Sequence, residues 1–577
     1  MMVNKINPFS HDYFIGYINQ VLPQYVRVHF PSSILLGGFT NQGEEFNGGL
    51  VGNFVVVEGD KYGFLGRLVE LALPEKERLS LSEKSFQTKD FHPEGKIEIL
   101  LSFDLYNPFI VKKGLASYPN IGAKVYVCSS DLVGQFMSRF GAKYNESITP
   151  VSLGKLVSNN ETEVNVNLQS LFGRHCAIVG TTGGGKSYTV SKLLEILSNT
   201  NSKAIIIDAT GEYSSFTTNP KCTNVELGNG HYFHYKNLSI QDLLILLKPS
   251  GQVQQPILLE AIQSLKIAHL AIKNDKKTSE IDEKGIYIKS KKPKKPYIDL
   301  YNEFASEIED AKANFNINNL TMQLRRECVY DSDGFGNDIT HWGDLDRRKW
   351  ENSTSLFLRT ETLIQSVHFK RIFGFDIEDS DENDLVKKID NFLNDDNMSI
   401  LRINFEKVIF EFQAREVLAN AIGNHLLNLA RSGSFNNVKD AEKRPLVLMI
   451  DEAHQFLNKR VGDEFFGSNL DSFDSIAKEC RKHGLFLCIA TQMPRDIPQG
   501  TLSQMGTFIV HRLINHFDKD AISNACSSAN RNTLDFLPIL GEGEAILTGV
   551  DFPMPIMLKI AEPSNKPNSG TPSLNVN

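Results

Sequence analysis

The sequence predicts an α/β protein: a mostly parallel sheet carrying a phosphate-binding loop, a helical insertion within that sheet, and a small β-barrel ahead of it. Three observations predict this. Gly180-Thr-Thr-Gly-Gly-Gly-Lys-Ser187 lies between the apolar run Cys176-Ala-Ile-Val179 and a segment with Val190, Leu193, Leu194 and Leu197 at helical spacing. Further short apolar runs end in polar or acidic residues, as Leu446-Val-Leu-Met-Ile450 does in Asp451-Glu452. The N-terminal stretch is a series of short β-rich runs with close glycine turns.

A chain of 577 residues is too long for one core and should hold about three to four domains. Hydrophobic residues at 41% and charged residues at 23% are ordinary for a globular protein. The net charge of -8 excludes an all-basic coat but not a local basic channel. Seven cysteines are scattered without a Cys-x-x-Cys pair, so no zinc site or disulfide framework is expected and a reducing cytoplasm fits. No apolar signal core opens the chain and no apolar stretch approaches ~18 residues, so no membrane partner is expected.

Residues 1–165 are expected to form the barrel, with strands near Asn53–Val57, Gly63–Val69 and Ile97–Leu101 between glycine turns. No catalytic signature marks it, which fits a packing or assembly module. Residues 166–240 carry the glycine loop and a second buried strand, Ala204–Ile207, ending in Asp208-Ala-Thr-Gly-Glu-Tyr213. Residues 241–395 turn helical and charged, the expected insertion. Its lysine cluster, Lys289–Lys295, is expected to be a solvated, mobile loop, because Pro293 and Pro296 break helix there. The core resumes over 396–561, with strands at Ser399–Asn404, Leu446–Ile450, Leu485–Thr491 and Phe508–His511 and a helix with Leu418, Ile422, Leu426 and Leu429 on one face. Residues 562–577 are polar and proline-rich, expected to be extended or disordered unless a neighbouring subunit holds them.

Strand, glycine loop and helix in that order make the loop a P-loop, and the chemistry follows. Glycines let backbone N–H groups curl around an anion while the next helix points its positive end at it. Gly180, Thr181, Thr182, Gly183, Gly184, Gly185, Lys186, Ser187 and Tyr188 are therefore the candidate ATP-binding residues. Lys186 supplies charge to the phosphates and Ser187 an oxygen to Mg²⁺. Asp451, at the tip of a buried strand, is the acidic partner for Mg²⁺, and Glu452 the group that orients and deprotonates the attacking water. A helix-terminal acidic pair would explain two carboxylates, but not their place at the end of a five-residue apolar strand. Gln492 follows the next strand and is placed to sense the terminal phosphate; a turn before Pro494 is the plainer role. Arg481 sits with Lys482 and His483 in the last turn of a helix that stops at Gly484. There it complements the helix dipole or reaches a neighbouring subunit's nucleotide as an arginine finger. Arg512 is the reserve candidate, and Arg174 a contributor from the same subunit.

The runs Gly173–Tyr188, Asp208–Tyr213, Ile450–His454, Ile476–Gly484 and Ala490–Pro494 together resemble the HerA family of FtsK-like motor ATPases. The resemblance extends to the N-terminal barrel and so spans nearly the whole chain. It departs at Ala209-Thr210, where the family more often shows Pro-His, and at Cys480, where a glycine is usual. The resemblance implies a RecA-like P-loop ATPase core with a helical insertion, preceded by an N-terminal small β-barrel. It also implies a cytoplasmic homo-hexamer that hydrolyses ATP and translocates or unwinds double-stranded DNA through its pore. It further implies a partner effector, a nuclease or a Sir2-like NADase, in DNA-end processing or anti-phage defence. Lys459 and Arg460, in an expected loop after Asp451-Glu452, are candidate pore contacts, and a solvated surface pair is equally consistent with them. Two other readings stay open: an ATP-gated scaffold that switches an effector enzyme, and a soluble secretion- or conjugation-type ATPase.

Overall fold

The computed structural model describes residues 8–570 apart from 24, 42–43, 76–89, 106–109, 113–116, 143–149, 159–160, 201, 334–337, 437–442, 458, 462–467 and 527–530. Two compact units emerge: residues 1–196 with 488–566, and residues 197–487 with 567–577.

The first unit opens with β1 (Phe14–Val21), β2 (Tyr25–His29), β3 (Gly38–Asn41), β4 (Glu44–Asn47), β5 (Phe54–Val57), β6 (Tyr62–Ala72), β7 (Glu94–Asp104), β8 (Val111–Lys112) and β9 (Lys124–Val127). The strand order β2-β1-β9-β5-β6-β7-β8, with an added antiparallel ladder between β2 and β7, closes a barrel. Alternation builds its interior: in β2, Val26 and Val28 are buried while Arg27 between them is exposed. Closure leaves the ring without free edges, which suits short strands. On β6 and β7, Arg67 and Glu98 form a buried ion pair at 2.9 Å. Arg67 also donates to the Thr533 hydroxyl and lies 5.3 Å from the Phe536 ring centre. A buried charge pair of this kind is costly to break by halves, so it ties the barrel wall to residues 533–536.

β10 (Val151–Leu156), β11 (Glu163–Val166) and β12 (Cys176–Val179) come next. The barrel was expected to run to residue 165, but β10 pairs with β11 and with Leu558–Ile560, and the barrel ladders involve neither strand. Periodicity marks a strand without naming its partner, and this partner is about 400 residues away in sequence.

In the second unit, β13 (Lys203–Asp208), β14 (Cys222–Glu226), β15 (Ile400–Asn404) and β16 (Leu446–Ile450) are parallel in the order β16-β13-β15-β14. β13, β15 and β16 are buried at every position, as continuous apolar runs require. Helices fill the stretch between β14 and β15, including Gly251–Lys273, Arg347–Gln365 and Leu385–Asn394. The lysine cluster differs from its expectation. Lys289 is buried, ion-paired with Glu327, and lies 4.8 and 5.3 Å from the ring centres of Tyr297 and Trp342. Pro296 opens the helix Lys295–Glu303, since proline suits a first turn where no N–H is needed. Composition shows the charges but not the distant carboxylate that neutralises one of them.

β17 (Lys459–Val461) and β18 (Ser468–Leu470) form a two-stranded antiparallel ribbon, so Lys459 and Arg460 lie in a strand and not in a loop. β19 (Leu485–Thr491), β20 (Thr507–Val510), β21 (Glu544–Gly549) and β22 (Ile556–Ile560) return to the first unit's sheet, ordered β11-β10-β22-β21-β20-β12-β19. There β12 is flanked by parallel β19 and β20, while β20, β21 and β22 pair antiparallel. Residues 562–570 form neither helix nor strand. The Ser564 N–H donates to Glu195 and the Asn568 N–H to the Glu212 carbonyl, so the chain itself holds this part of the tail. Among the described residues, no helix is long and apolar enough to cross a membrane.

Candidate nucleotide-hydrolysis site

The phosphate loop belongs to the first unit. β12 ends at Val179, and the helix α1 (Lys186–Asn199) begins at Lys186. The Gly184 N–H bonds Thr181 O at 3.0 Å, and the Thr189 N–H bonds Gly185 O at 3.0 Å, which turns the loop directly into the helix. Gly183 and Gly185 hold φ of +75° and +102°, where a side chain would be strained. A Cβ on Gly180 would come within 2.6 Å of His511 Cβ, so the loop lies against that residue. Around the absent Cβ of Gly183 there is nothing within 4 Å, leaving that face of the loop open to an anion. Lys186 is buried at 5% exposure, and Ser187 and Tyr188 are half-buried.

His511, which the sequence did not single out, underlies the loop. Its Nδ1 faces the Glu544 carbonyl at 2.9 Å and its Nε2 the Thr189 hydroxyl at 2.8 Å. A carbonyl only accepts, so Nδ1 carries the proton and Nε2 accepts from Thr189. Burial first, and the nearby Lys186 charge as well, push the imidazole down to about 4. The support beneath the loop is therefore neutral at neutral pH. Only the histidine's place at the end of the expected strand Phe508–His511 hinted at it.

The other expected residues of this unit fall into different relations with the loop. Gln492 follows β19 and its Oε1 accepts from the Thr182 hydroxyl at 2.6 Å, which joins it to the loop. Arg512 meets the loop through its backbone: its carbonyl accepts from the Thr181 N–H and hydroxyl, both at 3.1 Å, and its side chain is exposed. Arg174 pairs with Asp551 at 2.8 Å, so its guanidinium is engaged by a carboxylate.

The acidic strand end belongs to the second unit. β13 and β16 run in register, Ile207 opposite Ile450, and each continues into an aspartate, Asp208 and Asp451. Asp451 is 1% exposed and its N–H bonds Ile207 O at 3.1 Å. Glu452 is 5% exposed and holds φ +48°, ψ +45°. A left-handed conformation at a non-glycine residue costs about 1–3 kcal/mol and persists where the surroundings impose it. His454 Nδ1 lies 3.3 Å from Glu452 Oε2.

Asp208 has a different task. Its carboxylate accepts from Arg402 Nε and Nη2 at 2.8 and 2.7 Å, from the Gly211 N–H at 2.8 Å and from the Tyr213 N–H at 3.2 Å. It thus staples the Ala209–Tyr213 loop to β15. Arg415, also buried, donates to the Ala209 carbonyl and stacks 4.4 Å from the Phe410 ring centre. Tyr213 is fully buried, and burial followed by the charges of Asp451, Asp208, Glu212 and Glu452 raises its phenol well above the ordinary value. Arg481 is exposed in the 3-10 turn Cys480–His483 that ends at Gly484. None of Arg402, Arg415 and Tyr213 carries a pattern signal of its own; the motif Asp208-Ala-Thr-Gly-Glu-Tyr213 flagged only the neighbourhood.

A phosphate cradle opening a helix, on a strand with parallel neighbours, defines a P-loop ATPase, an ATP-hydrolysing enzyme. The chain belongs to the HerA family: the family described as Helicase HerA, central domain, matches residues 151–327, and Helicase HerA-like C-terminal matches residues 432–566. It is similar to the probable DNA double-strand break repair helicase HerA of Methanocaldococcus jannaschii, 25% identical over 72% of this chain and 77% of that protein. It is also similar to the DNA double-strand break repair helicase HerA of Pyrococcus furiosus, 22% identical over 76% and 73%. Among solved structures, VirB4 of Thermoanaerobacter pseudethanolicus aligns with a TM-score of 0.40 and 16% identity, covering 73% of this chain and 99% of that one. The conjugative coupling protein TrwB aligns with a TM-score of 0.41 and 13% identity, over 76% and 94%.

Proposed function

We propose that this chain hydrolyses ATP to translocate or unwind double-stranded DNA as a homo-hexameric ring. The observation that carries the reading is the pair of prepared elements in one HerA-family chain: a glycine cradle with buried Lys186, and a buried strand end presenting Asp451 and Glu452. The named relatives, DNA repair helicases, support DNA as the track.

The loop amides and Lys186 bind the phosphates, and Glu452 takes the proton from the water that attacks the terminal phosphorus. Ser187 and Asp451 are the oxygen donors for Mg²⁺. Among the described residues no group of three or more His, Cys, Asp or Glu could hold a metal. Bound Mg²⁺ supplies charge neutralisation on the phosphate oxygens. Gln492, tied to the loop through Thr182, reports the terminal phosphate. Arg481, exposed and cationic, serves a neighbouring subunit in trans, with Arg512 and Arg174 as the alternatives. The N-terminal barrel, whose ladders end at β9, serves assembly. A partner nuclease or Sir2-like NADase supplies effector chemistry in DNA-end processing or anti-phage defence.

The test is steady-state ATPase with and without duplex DNA on protein of measured native mass. Hexamers whose turnover rises with duplex DNA support the reading. Hydrolysis indifferent to DNA, with an effector enzyme co-purifying, favours the ATP-gated scaffold instead.

A further inference from the structure

The reading above gives the barrel no part in nucleotide binding, yet one short segment of the first unit touches both the barrel and the phosphate loop. Residues 533–544 begin at Thr533, whose buried hydroxyl accepts from Arg67 on β6 at 2.9 Å. The Phe536 ring centre lies 5.3 Å from the same guanidinium. Arg67 is 1% exposed and its Nη2 also donates to Glu98 of β7 at 2.9 Å, so the barrel wall fixes where it sits. From there the segment runs to the loop. The Leu513 N–H donates to the Leu537 carbonyl at 3.4 Å, and the adjoining Arg512 carbonyl is the one that accepts from Thr181. At the far end the Gly543 N–H donates to Gly184 O at 3.4 Å, and the Glu544 carbonyl accepts from His511 Nδ1 at 2.9 Å. A Cβ on Gly185 would stand 2.9 Å from Gly543 Cα, so segment and loop meet backbone to backbone. Leu537 and Leu540 between the two ends are buried. A close-packed interior passes a displacement on rather than absorbing it.

We propose that Arg67 is a positioning residue for the nucleotide site: through Thr533–Glu544 it couples the barrel wall to the shape of the phosphate loop and so to ATP affinity. This goes beyond the ATPase reading and rests on its assignment of the loop as the site for ATP. The coupling is reciprocal, because what the barrel wall does to ATP binding, bound ATP must do to the barrel wall. None of residues 533–544 is a proposed hydrolytic group, so turnover at saturating ATP is left alone.

Thr533→Val removes the acceptor and keeps the outline of the side chain. Arg67→Met combined with Glu98→Met removes the donor together with its partner charge, an exchange that a buried ion pair often tolerates without loss of stability. In the full-length protein each should raise the ATP dissociation constant and KM by about 2- to 30-fold, the range for changes along a coupled network. The kcat at saturating ATP and the melting temperature without ATP should stay level. Thr533→Val added to the methionine pair should change ATP affinity little further, because both act through one contact. In the wild type, ATP should slow amide hydrogen exchange in β6 and β7, and Thr533→Val should abolish that slowing. Unchanged ATP affinity in both variants would overturn the proposal. So would a loss of affinity matched in both by a lowered melting temperature, additive losses, or barrel exchange that ignores ATP. Should Thr533→Val fail to fold, the methionine pair is read alone. Lys186→Ala run in parallel separates the two failures. If it binds ATP like the wild type, the loop's assignment itself fails; if it loses ATP while both other variants bind normally, only the coupling does.

Discussion

The glycine loop and the acidic strand end prepare for charge by opposite means. In the loop the working groups are mainly backbone amides, freed by Gly183 and Gly185 at positive φ and supported by the uncharged His511. At the strand end the proposed working groups are carboxylates: Asp451 is buried and Glu452 is held left-handed. Beside them the Asp208–Arg402 pair absorbs one further carboxylate into pure structure. An anion site can thus be built from neutral parts, whereas a site for water and a cation needs buried negative charge and a scaffold able to hold it.

The largest expected effect lies in that scaffold. Asp208→Ala leaves Arg402 buried and uncompensated, and should destabilise the protein by about 3–5 kcal/mol in chemical denaturation. A loss under about 1 kcal/mol would mean the staple is replaceable, and would weaken the contrast between the two regions. Next comes Lys186→Ala. A charge-assisted hydrogen bond contributes about 1.5–3 kcal/mol, so ATP affinity should fall by up to about 100-fold while the fold survives. ATP titration by calorimetry checks it.

His511 gives a pH-dependent effect. Its imidazole falls from an ordinary value near 6.5 to about 4 on folding, so the folded state resists the proton the unfolded chain accepts. Its stabilising contribution is complete above about pH 6.5 and is lost as pH falls towards about 4. His511→Gln should flatten the stability profile across that window, and an unchanged slope would place the titration elsewhere. The smallest effect is at Glu452, where Glu452→Gly should relieve left-handed strain and raise stability by about 1 kcal/mol.

The same contrast explains what was legible in the sequence. The strand Cys176–Val179, the loop and α1 declare themselves locally, because glycine spacing and apolar periodicity are properties of neighbours in the chain. Leu446–Ile450 and Leu485–Thr491 were readable for the same reason. The helix through Leu418, Ile422 and Leu426 is another such case. The supports were not readable. Arg402 meets Asp208 across 194 residues, and His511 meets Thr189 across 322. Lys289 looked like part of a solvated charge run until Glu327 was brought to it. Strands β10 and β11 were readable as strands, but their attachment beside β22 was not. Local pattern gives elements and motifs; the neutralising partner of a buried charge is a long-range fact.

The central claim is that Asp451 and Glu452 form the hydrolytic end of an ATPase whose loop binds nucleotide independently of them. The most direct test is Glu452→Gln, assayed for ATP binding and single-turnover hydrolysis in one preparation. Binding should match the wild type while hydrolysis falls by about 10²–10⁴-fold, the usual contribution of a positioned base. Wild-type hydrolysis from Glu452→Gln, or ATP binding lost together with turnover, would contradict the account.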